Sequence, residues 1–290
     1  MLLINQLKLV RCHPLFWLMT AAAVFTGFFY EWLLLVCIVF LHELSHAQAA
    51  LFYKWRIKKL ELLPFGGVME TAEHGNRPVH EEAIVAAAGP FVHLPLIICS
   101  YLLLETPFWH TADHSLFLQY NLTILLFNLL PVWPLDGGKL LFCWLSFRYP
   151  YYQAQKRGWM ISLCILLIGA AIFFWFFPLH IQAWILLVFF IVVHYTEWKQ
   201  RPYGFFRFLL ERANTNTHTS QVAQEISWHL RPIDAAKMIR KNQASRFYIT
   251  ENGQTLSESY ILEAITKNKT GFRKLRDLFI EEDKNPSIKG

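Results

Sequence analysis

Apolar residues gather in six runs over the first two thirds of the chain, roughly 14–30, 32–53, 83–104, 115–147, 159–177 and 180–198. Each is about as long as, or longer than, the ~20 residues that cross the hydrocarbon core of a bilayer as a helix. About six transmembrane helices are therefore predicted over residues 1–200. Past Trp198 the pattern changes to mixed charge and short alternations, which predicts a soluble α+β domain over 201–290. There, Pro232 to Ile239 reads as a helix with proline in its first turn. Arg246 to Ile249 reads as a strand, Asn252-Gly253 as a turn, and a second strand and helix follow.

The polar interruptions between the runs set a topology. The connections at 27–32, 105–116 and 178–182 contain no Lys or Arg. The others carry Lys8 and Arg11, then Lys54, Arg56, Lys58, Lys59 and Arg77, then Arg148, Lys156 and Arg157, then Lys199 and Arg201. By the positive-inside rule both termini and the tail face the cytoplasm. The N-terminus, with basic residues, an apolar stretch and Ala21-Ala22-Ala23, has the make-up of a cleavable leader. A retained first span is favoured, because its removal leaves an odd number of spans and breaks the alternation.

Composition agrees with this picture. Of 290 residues, 54% are hydrophobic and 16% aromatic, an excess over soluble globular chains. The net charge of +6 does not indicate nucleic acid, since the basic residues flank the apolar runs. Cys12, Cys37, Cys99, Cys143 and Cys164 all lie in or beside those runs without a CxxC pair, so they are expected to be reduced and buried.

Chemistry enters at His42-Glu43-Leu44-Ser45-His46, inside the unbroken apolar run from Trp32 to Phe52. HExxH on a helix sets two imidazoles on one face with a carboxylate beside them, the pattern of a zinc-ligand pair and a general base. Three ionisable groups at membrane depth are functional candidates by default. A catalytic zinc takes three protein ligands and leaves one position open. The best third ligand is Asp136, in Asn128-Leu-Leu-Pro131-Val-Trp-Pro134-Leu-Asp136-Gly137-Gly138. Pro131 and Pro134 break the helix and the glycines permit a tight bend, and broken helices at membrane depth occur where a polar cavity satisfies the backbone. Two positive charges on zinc against Asp136 and Glu43 also make the cluster neutral. The alternatives are that Asp136 caps a helix or pairs with Lys139, and that His93 is the third ligand.

HELSH in the second span and NLLPVWPLDGG in the fourth resemble the paired signature of the site-2 protease family of intramembrane zinc metalloproteases. The resemblance covers about the first 200 residues. It implies His42, His46 and Asp136 as zinc ligands and Glu43 as the residue that activates water. Asn128 becomes a candidate oxyanion or substrate donor. The Leu63-Pro64-Phe65-Gly66-Gly67 loop, within a predicted hairpin over Lys59 to Thr71, becomes a candidate substrate-strand acceptor, with Phe65, Gly66 and Gly67 as the contacting residues. The layout resembles the sporulation branch of the family. That implies a membrane-tethered, pro-sigma-K-like substrate, membrane inhibitor or regulator proteins, and the mother-cell membrane around the forespore. The tail resembles a single CBS domain, a family whose members pair and bind adenine nucleotides such as ATP. It lacks a phosphate-cradling glycine loop, so dimerisation or substrate docking is the expected role. A homo-oligomer follows from such pairing. The competing class is a zinc transporter or membrane metal sensor, which needs buried histidines but neither Glu43 nor the broken LDGG segment.

Overall fold

The computed structural model describes residues 10–63, 66–71, 75–214, 221–251, 253–266, 270–271 and 273–277. The chain opens with β1 (Val10–Cys12), α1 (Pro14–Thr26), α2 (Phe29–Phe52), β2 (Ile57–Leu63) and β3 (Gly66–Thr71). Helices α3 (Val79–Leu103), α4 (Thr111–Leu129), α5 (Asp136–Arg148), α6 (Tyr151–Phe176) and α7 (Ile181–Ala213) follow. The tail is β4 (Gln221–Ile226), α8 (Pro232–Ala236), β5 (Ala244–Ile249), β6 (Thr255–Ser257) and α9 (Glu258–Thr266).

Among the described residues four helices, α2, α3, α6 and α7, are long and apolar enough to cross a membrane, and α1 is a shorter apolar helix. The count differs from the six spans expected, for a local reason. The run 115–147 is two helices, because the chain leaves helical geometry after Leu129 and resumes it only at Asp136. Helix α4 also carries Asp113, His114, Gln119 and Asn121, which lower its apolarity. Polarity is inverted relative to a water-soluble protein. Phe25 and Leu179 are each 90% exposed, whereas His42, His46, His93, Asn121 and Asp136 are buried. A lipid solvent favours this distribution, because apolar side chains face hydrocarbon and polar groups must find partners inside. The four described cysteines are free, but only Cys143 is buried. Cys37, Cys99 and Cys164 lie on outward apolar faces instead of the interior.

The chain divides into two compact units, one of residues 1–73 with 80–141 and one of 74–79 with 142–290. The first unit holds a three-stranded sheet in the order β1-β2-β3. The hairpin expected over Lys59 to Thr71 is present, with β2 antiparallel to β3 and Leu62 opposite Gly67. Strand β1, which no sequence pattern announced, runs parallel to β2. Strand β3 is left as a sheet edge.

In the second unit, α6 and α7 are joined by buried polar contacts. Ser162 Oγ lies 2.7 Å from His194 Nε2, and Trp159 Nε1 donates to the His194 carbonyl at 3.1 Å. At 33 residues, α7 is about 50 Å long, more than the ~30 Å hydrocarbon core requires. Its last turns belong to the core of the tail, where Phe208 and Leu209 pack with Phe247, Ile249 and Ile261. Buried Arg212 pairs with Glu258 at 2.6 Å and donates to the carbonyls of Lys241 and Gln243. The 200/201 boundary thus falls inside a continuous helix. In the tail β4 pairs parallel with β5, and β5 antiparallel with β6. Strand β5 contains the strand expected at Arg246–Ile249, with β6 and α9 after it in the expected order, and α8 covers the first five residues of the helix expected over 232–239. Asn252 of the expected turn lies outside the described residues.

Candidate metal centre

His42 and His46 lie one turn apart on α2, so both imidazoles leave the same face. Asp136 is the first residue of α5. Its approach depends on Gly137 and Gly138, although neither adopts a left-handed conformation. A Cβ on Gly137 would overlap the Leu129 and Leu130 carbonyls, and one on Gly138 would lie 2.8 Å from the Val132 backbone. The glycines therefore serve close backbone approach, which lets the first turn of α5 lie against the end of α4.

Asp136 Oδ2 lies 3.1 Å from His42 Nε2 and 3.0 Å from His46 Nε2, and the two Nε2 atoms are 3.2 Å apart. The three residues are 3–5% exposed, as in a sealed site. Hydrogen bonds alone satisfy this triangle poorly. His46 Nδ1 lies 2.7 Å from the Val85 carbonyl, which only accepts, so Nδ1 carries a proton. Neutral His46 then turns a lone pair toward the carboxylate. Protonating both imidazoles would satisfy the carboxylate but set two N–H groups face to face. One cation among the three atoms satisfies every edge. Ligands on a tetrahedral zinc with ~2.0–2.1 Å bonds stand roughly 3.3 Å apart, close to the separations seen. The residues present fit zinc, and among the described residues this is the one such group.

Partners outside the triangle hold each candidate ligand. Lys139 Nζ contacts the other Asp136 oxygen, Oδ1, at 2.9 Å. The expected alternative for Asp136, an ion pair with Lys139, is therefore real and coexists with the histidine contacts. His93 meets His42 Nδ1 at 3.1 Å, on the side of the ring away from the triangle. It stands behind a candidate ligand. Space for both imidazoles comes from Gly89 on α3, where a Cβ would overlap His46 and approach His42 Cε1 to 2.7 Å.

Glu43 points toward the sheet edge, where the Gly67 backbone N–H donates to its Oε1 at 3.1 Å. Gly66 and Gly67 thus lie on the strand beside the centre, while Phe65 falls outside the described residues. Asn128 Nδ2 donates to the Ile124 carbonyl one turn back at 3.1 Å. Of the remaining histidines, His114 and His194 are buried with Ser100 and Ser162 as partners. Sequence reasoning missed the Val85 carbonyl, which carries no side-chain signal, and Asn121, whose polarity within an apolar helix was the available clue.

Peptidase family M50 matches the chain over residues 30–111 and 109–169. Stage IV sporulation protein FB of Bacillus subtilis (strain 168) is 47% identical over 204 residues, covering 70% of this chain and 70% of that protein. The chain belongs to peptidase family M50, the site-2 proteases. A zinc metalloprotease of Methanocaldococcus jannaschii is 36% identical over 47% of this chain and 42% of that protein. The solved structure of the site-2 protease from Methanocaldococcus jannaschii matches 65% of this chain and 89% of that one, with a TM-score of 0.49 and 26% identity. As an M50 peptidase the protein is an intramembrane zinc metalloprotease and an integral membrane protein. Family membership displaces the transporter and sensor reading.

Proposed function

We propose that this M50 peptidase holds its zinc through His42, His46 and Asp136, uses Glu43 as general base, and cleaves a membrane-tethered pro-protein. The observation that carries the reading is the triangle of buried ligand atoms, all within 4.8 Å of one another. Bound zinc supplies Lewis acidity, polarising the scissile carbonyl and activating water. Glu43 takes the proton from the attacking water and returns it to the leaving amine. Lys139 withdraws one Asp136 oxygen from the centre, so the carboxylate presents the other. Asn128 is assigned to the substrate backbone or oxyanion.

A helical substrate hides its carbonyls, so cleavage requires an extended segment. Strand β3 is a sheet edge bordering Glu43, and it accepts that segment as an added strand along Gly66 and Gly67. Both termini face the cytoplasm, and the centre lies in the inner half of the bilayer. The half-exposed Lys139 supports a water route from that side. The product is a cytoplasmic fragment.

The relative named for stage IV of sporulation supports a pro-sigma-K-like substrate in the mother-cell membrane around the forespore, restrained by membrane regulator proteins. Residues 1–200 form the protease domain and 201–290 a CBS-like regulatory domain for self-association or substrate docking, with ATP as the nucleotide to test. Co-expression with a membrane-tethered pro-sigma factor tests the reading. A shorter product is expected with wild type. Glu43→Gln should lose it, by a factor of ~10²–10⁴ for an absent general base, while retaining zinc. Undiminished cleavage by that variant would overturn the assignment.

A further inference from the structure

Behind His42 runs a chain of neutral polar groups crossing three helices. His42 Nδ1 on α2 lies 3.1 Å from His93 Nε2 on α3. His93 Nδ1 lies 3.0 Å from Asn121 Oδ1 on α4, and Asn121 Nδ2 donates to the Phe117 carbonyl at 2.8 Å. His93 and Asn121 are both fully buried. The direction of every bond follows from its far end. A backbone carbonyl only accepts, so the Asn121 amide nitrogen faces Phe117 and its oxygen faces His93. That oxygen also only accepts, so the His93 proton sits on Nδ1. Neutral His93 then offers the Nε2 lone pair to His42, whose proton is fixed on Nδ1. The remaining lone pair of His42, on Nε2, is the one turned toward Asp136 and His46.

We propose that His93 and Asn121 are positioning residues that lock His42 in its Nδ1–H tautomer and thereby make Nε2 a metal ligand. The opposite tautomer would put a proton where the cation binds. His46 obtains the same orientation from a backbone carbonyl, Val85, which side-chain substitution does not remove. His42 depends on two side chains from other helices, so its competence is a tertiary property. A neutral chain suits the site, since a protonated His93 would set a positive charge beside the ligand of a cation. The proposal rests on the assignment of His42 as a zinc ligand.

The test uses the full-length, zinc-loaded protein in detergent, with zinc affinity read by chelator competition. His93→Leu and Asn121→Leu should each weaken zinc binding by ~10–100-fold, the usual effect of losing such a partner. His93→Gln is close to leucine in volume, yet its amide can donate to Asn121 and accept from His42, so it should restore most of the affinity. A role in packing alone predicts that glutamine and leucine behave alike. The ¹⁵N spectrum of histidine-labelled wild type should show neutral His93 and metal-bound His42, each protonated at Nδ1. This measurement decides the matter even where a leucine variant misfolds. Wild-type zinc affinity in His93→Leu, no rescue by glutamine, or a His93 proton on Nε2 would each overturn the proposal. His42→Ala separates the two levels. Unchanged zinc there removes the ligand assignment and the strut together, whereas zinc loss there alongside full affinity in His93→Leu removes the strut alone.

Discussion

The backbone N–H of Gly67 donates to Glu43 Oε1 at 3.1 Å, across a contact so close that a Cβ on Gly67 would stand 2.6 Å from Glu43 Cδ. A sheet edge and the proposed base are thereby held in one register. Gly67→Ala must push the carboxylate aside, because φ at this position is not the obstacle. Cleavage should fall by about 10²-fold, the order seen when a reacting group is displaced by ~1 Å. Zinc content should be unchanged, as the three proposed ligand atoms lie elsewhere. Metal analysis alongside a cleavage assay checks both halves.

Gly89 faces the two imidazoles as Gly67 faces the carboxylate. Gly89→Ala overlaps His46 and crowds His42. Overpacking of this kind costs about 1–3 kcal/mol, and here it falls on the proposed ligands. The expected outcome is weakened zinc binding together with lost cleavage, the reverse of the zinc-neutral behaviour of Gly67→Ala. Normal zinc affinity in the alanine variant would show that the helices separate at no expense to the centre.

Alternation along β3 distinguishes two proline substitutions. Gly67 turns its N–H away from β2, toward Glu43, so Met69, two residues on, also offers its N–H to the open edge, while Val68 bonds within the ladder. Met69→Pro should abolish cleavage of helical substrates with the hairpin and zinc intact, because it removes an edge donor only. Val68→Pro should disturb the hairpin itself. Cleavage by Met69→Pro at the wild-type rate would remove the strand-addition step.

Acid sensitivity of the tail has a definite sign. The Ser227 hydroxyl at 2.6 Å, and then the Trp228 N–H at 3.0 Å, hold the Glu251 carboxyl down to about 2 from its ordinary 4.5. A depressed folded-state value stabilises the fold above 4.5 and loses that contribution as pH falls toward 2. For Asp234 desolvation raises the carboxyl, but the hydrogen bonds and charges of Lys237 and Arg231 together lower it by more, so it acts in the same direction. Thermal unfolding of the full chain should show a shallower loss across that window in Glu251→Gln. The effect is small, because Glu251 is exposed to solvent.

The sequence by itself determined the membrane class, the His42–Glu43–His46 grouping and the broken segment before Asp136. These are short-range facts: helical periodicity aligns residues four apart, and proline and hydropathy act within a few positions. It also placed the hairpin at 59–71 and, in the tail, the helix starting at Pro232 and the strand at 246–249, where proline and alternation are local signals, but not strand β4. Only the tertiary structure decided what meets across long separations. His42 and Asp136, 94 residues apart, converge because Gly137 and Gly138 admit backbone contact with the end of α4. The parallel pairings of β1 with β2 and of β4 with β5 have no turn to announce them. His93 stands behind the proposed ligand His42 instead of in the triangle, a placement set by which ring nitrogen of His42 it meets. A backbone carbonyl such as Val85, and the room left by Gly89, become visible only when helices pack, since neither leaves a side-chain mark for a pattern to detect.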